Sequence, residues 1–389
     1  MRILIAHNRY QQRGGEDTVV ANEIRMLEEN GHQVDYLGVD NESVHGVKGK
    51  VLAAGRAFYS VASARSVEER IDKFRPDIVH IHNFLVTLSP SVFYAANNKR
   101  IPVVLTLHNY RLQCANAQLF RDGHPCEECI DRHSFLPGVQ YACYRGSRIG
   151  SAIVGGSIAL HTALGTWRKR VDRYITLTAF AAKKMASYRI PSDRIRIKPN
   201  FARDLGQGTG GGGFALFAGR LAPEKGIDTL IEADIKGLLP MPVQLVGDGP
   251  MREMIQKAAT QKESRLYPLG TKTYSEVQEL MRKATVLVFP SIWYEGFPMV
   301  FAEAFAAGLP ILSSRIGGLS EIVEEGISGR LFRPGDPAAL GKAMKLFVEG
   351  SEELKNMRRA ARKRFESQYG AERNYAMLMD IYRELVPTK

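Results

Sequence analysis

At 389 residues the chain is longer than one hydrophobic core usually serves, so two or three domains are expected. Its composition, 44% hydrophobic and 24% charged with 36 glycines and 18 prolines, is that of an ordinary soluble globular protein and excludes disordered, collagen-like and coiled-coil classes. With 53 Lys and Arg against 41 acidic residues the net charge is +12, which favours phosphate-bearing ligands, nucleic acid or an anionic membrane surface without choosing among them.

The N-terminus, MRILIAHN, has an apolar run too short for a signal peptide, so a cytoplasmic location is expected. Residues 2–6 read as a strand, NRYQQRGGED as a glycine-bearing loop, and VVANEIRMLEENGH as an amphipathic helix that stops at Gly31. VDYLGV at 34–39, PDIVHIH at 76–82 and PVVLTLH at 102–108 continue the pattern as buried parallel strands, with helical stretches such as SVEERIDKF between them. The first half is therefore a doubly wound α/β domain. His80 and His82 share one strand face and have the look of metal ligands. With no third ligand nearby in sequence, they read as cleft lining.

Cys114, Cys126, Cys129 and Cys143 follow the pattern C-x11-C-x2-C-x13-C, whose central C-x2-C is the knuckle spacing of tetrahedral thiolate sites. A structural zinc with four protein ligands is one reading. Reduced thiols packed as small hydrophobes and a local disulfide are the others. The stretch IGSAIVGGSIALHTAL at 149–164 is too short and too polar to span a bilayer. Flanked by Arg145, Arg148, Arg168, Lys169, Arg170 and Arg173, it is either a buried helix with solvated basic ends or an interfacial helix on an anionic leaflet.

GQGTGGGG at 206–213 marks a linker or loose loop. A second α/β domain then begins, with strand candidates FALFAGR, PVQLVGDG, ATVLVFPS and LPILSS. The expected division is 1–200 and 201–369, with 370–389 as a C-terminal helix returning to the first domain. Ligands of such sheets bind at the carboxyl ends of the strands, so two in tandem suggest a cleft.

In Glu295-Gly296-Phe297-Pro298-Met299-Val300-Phe-Ala-Glu303, Pro298 suits the first turn of a helix and Gly308 its end. The helix start offers free N–H groups to a diphosphate or sugar, and the two glutamates are placed to accept hydrogen bonds from hydroxyls. Arg220 at a strand end and Lys225 at the opening of the next helix are suited to neutralising a diphosphate. The chain has no Asp-x-Asp pair, a common holder of the divalent metal that would otherwise do so. Gly247 and Gly249 form a further glycine turn after a strand, and Gly317-Gly318 another before a helix.

In order and spacing, GRLAPEKG, LVGDGP, PSIWYEGFPMVFAEAFAAGLP and GGLSEIVEEGISG resemble the C-terminal half of retaining GT-B glycosyltransferases of family four, over most of residues 214–335. The resemblance implies two Rossmann-like domains facing across a cleft. It implies that Arg220 and Lys225 bind the donor diphosphate, Glu303 holds the ribose, Glu295 touches the donor sugar, and the loop between them supplies backbone amides. Pro298 stands where many members have Gly. More loosely, Gly14 and Gly15 match a glycine pair that approaches the donor phosphates and sugar, and His108 matches a cleft histidine that contacts the sugar. The implied activity is hexosyl transfer from a nucleoside-diphosphate sugar to a glycan or lipid-linked acceptor, with retained configuration and no cofactor. Cell-surface polysaccharide or glycolipid biosynthesis is the implied setting, with peripheral contact to an anionic membrane.

Two other readings stand beside it. A nucleotide-sugar epimerase of the same fold would need no acceptor. A basic membrane or nucleic-acid binding protein would account for the charge, but the basic residues are dispersed and no aromatic-and-basic stacking pattern appears, so nucleic acid is not expected as a partner.

Overall fold

The computed structural model of the protein describes residues 1–9, 14–40, 54–85, 87–187, 189–349 and 351–386; Arg13 of the first loop lies outside them. Two compact units emerge. The first comprises Met1–Leu119, Glu127–Pro199 and Tyr375–Lys389, and the second Phe120–Cys126 and Asn200–Asn374.

In the first unit, strands β1 (Arg2–Arg9), β2 (Gln33–Asp40), β3 (Ile78–Asn83) and β4 (Val103–Leu107) are joined by β7 (Arg173–Thr176) and β8 (Ile195–Ile197). They form one sheet in the order β2-β1-β3-β4-β7-β8. Every pairing in it is parallel. Ile3, Leu4, Ile5, Ile78, Val79, Ile81, Val103 and Val104 are wholly buried, as unbroken apolar runs must be when helices cover both sheet faces. The order reverses between β1 and β3, which is where sheets of this kind open a crevice at the strand ends.

The second unit repeats the plan with β9 (Ala215–Ala218), β10 (Val243–Val246), β11 (Leu266–Gly270), β12 (Val286–Phe289), β13 (Ile311–Ser314) and β14 (Gly329–Phe332). Its order, β11-β10-β9-β12-β13-β14, is the doubly wound arrangement with its reversal between β9 and β12. Phe217, Leu230, Leu245, Val288 and Leu340 sit in its core. β5 (Phe120–Arg121) and β6 (His124–Pro125) form a separate two-stranded antiparallel hairpin.

The glycine tract is not a loose linker. The N–H groups of Gly210 and Gly212 donate to the carbonyls of Arg282 and Lys283 at 3.0 and 2.9 Å. Those carbonyls end the Tyr274–Lys283 helix, which has no further turn to satisfy them. A Cβ on Gly208 would stand 2.1 Å from the Arg282 carbonyl oxygen. Glycine is needed there because the backbone lies flat against a helix end.

Candidate functional site

In the second unit the loops after β9 and β12 meet at the sheet's reversal point. Gly226, with φ +70°, ends the short turn Pro223–Lys225, and a Cβ there would fall 1.8 Å from the Pro290 carbonyl oxygen. Only glycine permits that approach. The Glu224 carbonyl accepts from Ile292 N–H at 3.0 Å and from Ser291 Oγ at 3.2 Å. So clamped, the loops bring Lys225 Nζ to 2.7 Å from Glu295 Oε1. The same oxygen accepts from Ser291 Oγ at 2.9 Å and Trp293 Nε1 at 2.7 Å. Glu295 is buried, and the Lys225 ammonium stands 5.4 Å from the ring centroids of both Phe289 and Trp293. Arg220 is different. Its side chain is 59% exposed, with Glu224 Oε1 at 3.7 Å.

The following helix runs Met299–Ala306, and Pro298, with ψ 122°, caps it rather than entering its first turn as expected. The first bond of this helix runs from Phe301 N–H to the Pro298 carbonyl, so the amides of Met299 and Val300 precede it. Phe297 is an anchor. Its ring is buried 5.3 Å from that of Tyr369, and its carbonyl accepts from Asn200. Gly296, Pro298, Met299 and Val300 are half-buried. Burial pushes the Glu303 carboxyl up to about 7. Gly247 and Gly249 interlock the β10 loop with the β9 loop. A Cβ on Gly247 would meet the Gly219 carbonyl oxygen at 1.9 Å, and one on Gly249 the Leu221 carbonyl oxygen at 2.4 Å.

In the first unit, Gly14 caps the Gly15–Glu29 helix and donates its N–H to Asp17 Oδ2 at 2.9 Å. The other oxygen of Asp17 lies 3.0 Å from His7 Nε2 at the end of β1. Among the described residues, none comes within 4 Å of where a Gly14 Cβ would be. His80 and His82 are not cleft lining. Both are buried, and the half-buried His108 stacks on His82. His80 is held between Tyr382 Oη and Thr106 Oγ1, each at 2.7 Å. His82 Nδ1 lies 2.9 Å from His108 Nε2.

The acidic group absent from the neighbouring sequence arrives from the first helix. Glu23 Oε1 stands 3.1 Å from both His80 Nδ1 and His82 Nε2. These three ligand-type atoms lie within 4.8 Å of one another. They do not fit a divalent ion, because Lys198 Nζ already occupies Glu23 Oε2 at 3.0 Å and a buried ammonium beside a buried dication is strongly repulsive. Burial alone would raise the Glu23 carboxyl, but Lys198, His80 and His82 hold it well below the usual range. Burial, reinforced by His80, pushes His82 down to about 4 despite Glu23, and burial, reinforced by His82, holds His108 well below its ordinary value. The cluster is a buried Glu23–Lys198 ion pair beside His82 and His108, both held in their neutral form by burial.

Cys114 and Cys129 are buried, Cys126 and Cys143 half-buried. Cys114 Sγ donates to Asn116 Oδ1 at 2.9 Å, and Cys143 N–H to the Gly138 carbonyl. Among the described residues the grouping of ligand-type atoms is that of Glu23, His80 and His82, not of the cysteines.

Sequence reasoning placed Arg220, Lys225, Glu295 and His108 near strand or helix ends and Glu303 one to two turns inside a helix, and the described elements put them there. It did not find Ser291 and Trp293, which fix Glu295, nor Glu23, Lys198, Thr106 and Tyr382 behind His108. The partners of His80 and Glu23 lie up to 302 residues away, with no local signal to mark them.

Comparison with known proteins agrees with this fold. Residues 208–364 match the family model described as Glycosyl transferases group 1, and residues 13–203 match that described as Glycosyltransferase Family 4. The uncharacterized glycosyltransferase MJ1607 of Methanocaldococcus jannaschii is 26% identical over 356 residues, covering 81% of this chain and 80% of that one. MJ1178 of the same organism is 36% identical over 173 residues, and the matched segment spans only 44% of this chain and 48% of its relative. The crystal structure of Anabaena Alr3699/HepE in complex with UDP shares the fold, with a TM-score of 0.69 and 16% identity over 99% of this chain and 100% of its own. With both halves matched and two parallel-sheet units in tandem, the chain belongs to the group 1 glycosyltransferases of the GT-B fold.

Proposed function

We propose that the protein is a retaining hexosyltransferase that moves a hexosyl unit from a nucleoside-diphosphate sugar to a hydroxyl of a glycan or lipid-linked acceptor, in cell-surface polysaccharide or glycolipid biosynthesis. The observation that carries this reading is the reversal point of the second sheet, where Arg220, Lys225 and the amides of Met299 and Val300 stand at neighbouring loop ends. A diphosphate needs such a set of cations and N–H donors. Glu303 is assigned to the ribose, Glu295 and His108 to the sugar, and the Gly14–Gly15 turn to the donor phosphates and sugar. Gly247, Gly249 and the Gly296–Val300 segment complete the donor contacts.

In the reaction the bond from the anomeric carbon to the diphosphate oxygen breaks, and the acceptor oxygen bonds that carbon on the same face. The acceptor proton passes to the departing phosphate. Cations and amides on the leaving group stabilise the charge that develops there. Glu295 is poorly suited to act as a nucleophile, because its Oε1 is taken by three donors. The side chains themselves supply the positive charge, so the chemistry needs no metal.

The UDP bound by the Anabaena relative makes uridine the first base to test. Calorimetric titration against UDP-, GDP- and ADP-hexoses, followed by transfer to glycan and lipid-linked acceptors, is the deciding experiment. Saturable binding of one series and an axial linkage from an axial donor are expected. No binding in any series, or release of an altered sugar nucleotide without an acceptor, would overturn the reading.

A further inference from the structure

We propose that Glu23 and His82 form a positioning relay that locks His108 in one tautomer, with hydrogen on Nε2 and a bare lone pair on Nδ1 to accept a hydrogen bond from a substrate hydroxyl. The proposal rests on the assignment of His108 to the donor sugar, and the geometry carries it from the inside outward.

Lys198 takes one oxygen of the Glu23 carboxylate at 3.0 Å and leaves the other, Oε1, facing His82 Nε2 at 3.1 Å. The contact lacks hydrogen-bond geometry and is electrostatic, but a lone pair held that close to a carboxylate oxygen in a buried site would be repelled, so the hydrogen of the neutral His82 ring belongs on Nε2. His82 Nδ1 is then an acceptor. Its neighbour at 2.9 Å, His108 Nε2, must donate. The two rings are nearly parallel, with 21° between their planes, and His80, which also lies 3.1 Å from Glu23 Oε1, is held in place by Thr106 and Tyr382. The choice made at Glu23 thus passes through His82 to the one half-buried ring of the three.

The consequence concerns the hydroxyl that His108 meets. A ring free to change tautomer presents a donor part of the time, and a hydroxyl then has to reorient to suit it. A fixed acceptor selects a substrate hydroxyl as donor and holds it, a preorganisation that acts on turnover more than on ground-state affinity.

The test is long-range proton–nitrogen NMR on the full chain with nitrogen-15 histidine, the His108 signals being assigned by their loss in His108→Asn. In the folded protein His108 is expected to show a protonated Nε2 and a bare Nδ1. His82→Phe, which removes the acceptor, should turn His108 into a mixture. His82→Asn, whose carbonyl can stand near the former Nδ1 position, should restore the single tautomer. In parallel, His82→Phe should lower kcat at least tenfold with donor KM within twofold, and His82→Asn should recover most of it. Where His82→Phe fails to fold, the near-isosteric Glu23→Gln serves, with a mixture at both rings expected.

A proton on His108 Nδ1 in the unmodified protein, or a tautomer and kcat unmoved by these variants, overturns the proposal. So does a His82 Nε2 signal that shifts on addition of EDTA, since that would mark a metal site. If the unmodified protein turns over no sugar nucleotide, the glycosyltransferase reading fails, while the NMR result still decides the tautomer.

Discussion

Lys225 and Glu295, 70 residues apart in sequence, share one contact of 2.7 Å. The residue assigned to the diphosphate and the residue assigned to the sugar therefore set each other's position. Arg220 has no such tie, its side chain being mostly in solvent.

The two cations should consequently fail in different ways. Arg220→Ala should weaken donor binding roughly ten- to hundredfold, about 1.5–3 kcal/mol for one charge-assisted contact, and leave the melting temperature unchanged. Lys225→Ala should weaken binding similarly and also lower the melting temperature. It takes a donor from a buried carboxylate oxygen, a loss of about 1–3 kcal/mol. Calorimetry and thermal unfolding on the two variants separate these outcomes. Unchanged donor affinity in Arg220→Ala would remove it from the diphosphate.

A pH dependence follows from Glu303, whose carboxyl burial raises to about 7. Ribose hydroxyls donate best to the ionised form, so donor affinity should be highest above pH 7 and fall by up to tenfold per unit below it. Glu303→Gln should flatten the profile. For stability the sign is opposite. The folded protein holds this proton more tightly than the unfolded chain, whose Glu titrates near its ordinary value of about 4.5. Glu303 therefore costs stability progressively as pH rises from there through 7. Titration of binding and of unfolding from pH 5 to 8 checks both signs.

Much of this architecture was legible because buried parallel strands leave unbroken apolar runs. ILIA, IVHI, VVLTL, ALFA, VQLV, VLVF and ILSS each mark an observed strand. The strands that were not anticipated are short or carry charged and turn-forming residues: FR, HP, RYIT, IRI, LYPLG and GRLF. Their strand state comes from neighbours in the sheet rather than from their own pattern. The same divide runs through the site. Arg220 and Lys225 sit beside a strand end and a helix start, and Glu303 inside a helix, all of which local sequence marks. Glu23, Lys198 and Tyr382 converge only because the topology folds the first helix, the end of the first unit and the C-terminal helix over one strand.

Activity should persist in EDTA, because the proposed role of Arg220 and Lys225 is to supply the charge a metal would otherwise bring to the diphosphate, and the sequence has no Asp-x-Asp pair to hold one. Turnover within twofold of the untreated enzyme is expected after chelation and desalting. Loss of turnover that added magnesium restores would overturn the metal-free reaction.

Membrane contact is the last prediction, and the structure narrows where it can occur. No helix among the described residues is long and apolar enough to cross a membrane. The Arg148–Ala163 helix buries one face, with Gly155 against Phe135 and Ser157 bonded to the Ala57 carbonyl. Its other face leaves Ile149, Leu160 and Leu164 exposed, with Arg145, Arg148, Arg168 and Lys169 exposed at its two ends. Not all the basic residues of this stretch are available. Arg170 stacks on Tyr94 and Arg173 pairs with Glu384. The four exposed cations should each contribute about 1 kcal/mol near an anionic leaflet, screened over roughly 8 Å at physiological salt. Vesicles rich in anionic lipid should therefore bind the enzyme and release it in high salt. Replacing Arg168 and Lys169 with Gln should weaken binding severalfold without changing donor affinity. Leu160→Ser with Leu164→Ser should weaken it further at any salt, since that pair supplies apolar insertion rather than charge. Equal partitioning to neutral and anionic vesicles would remove the electrostatic part. No binding to either would leave the helix as a structural element of the first unit alone.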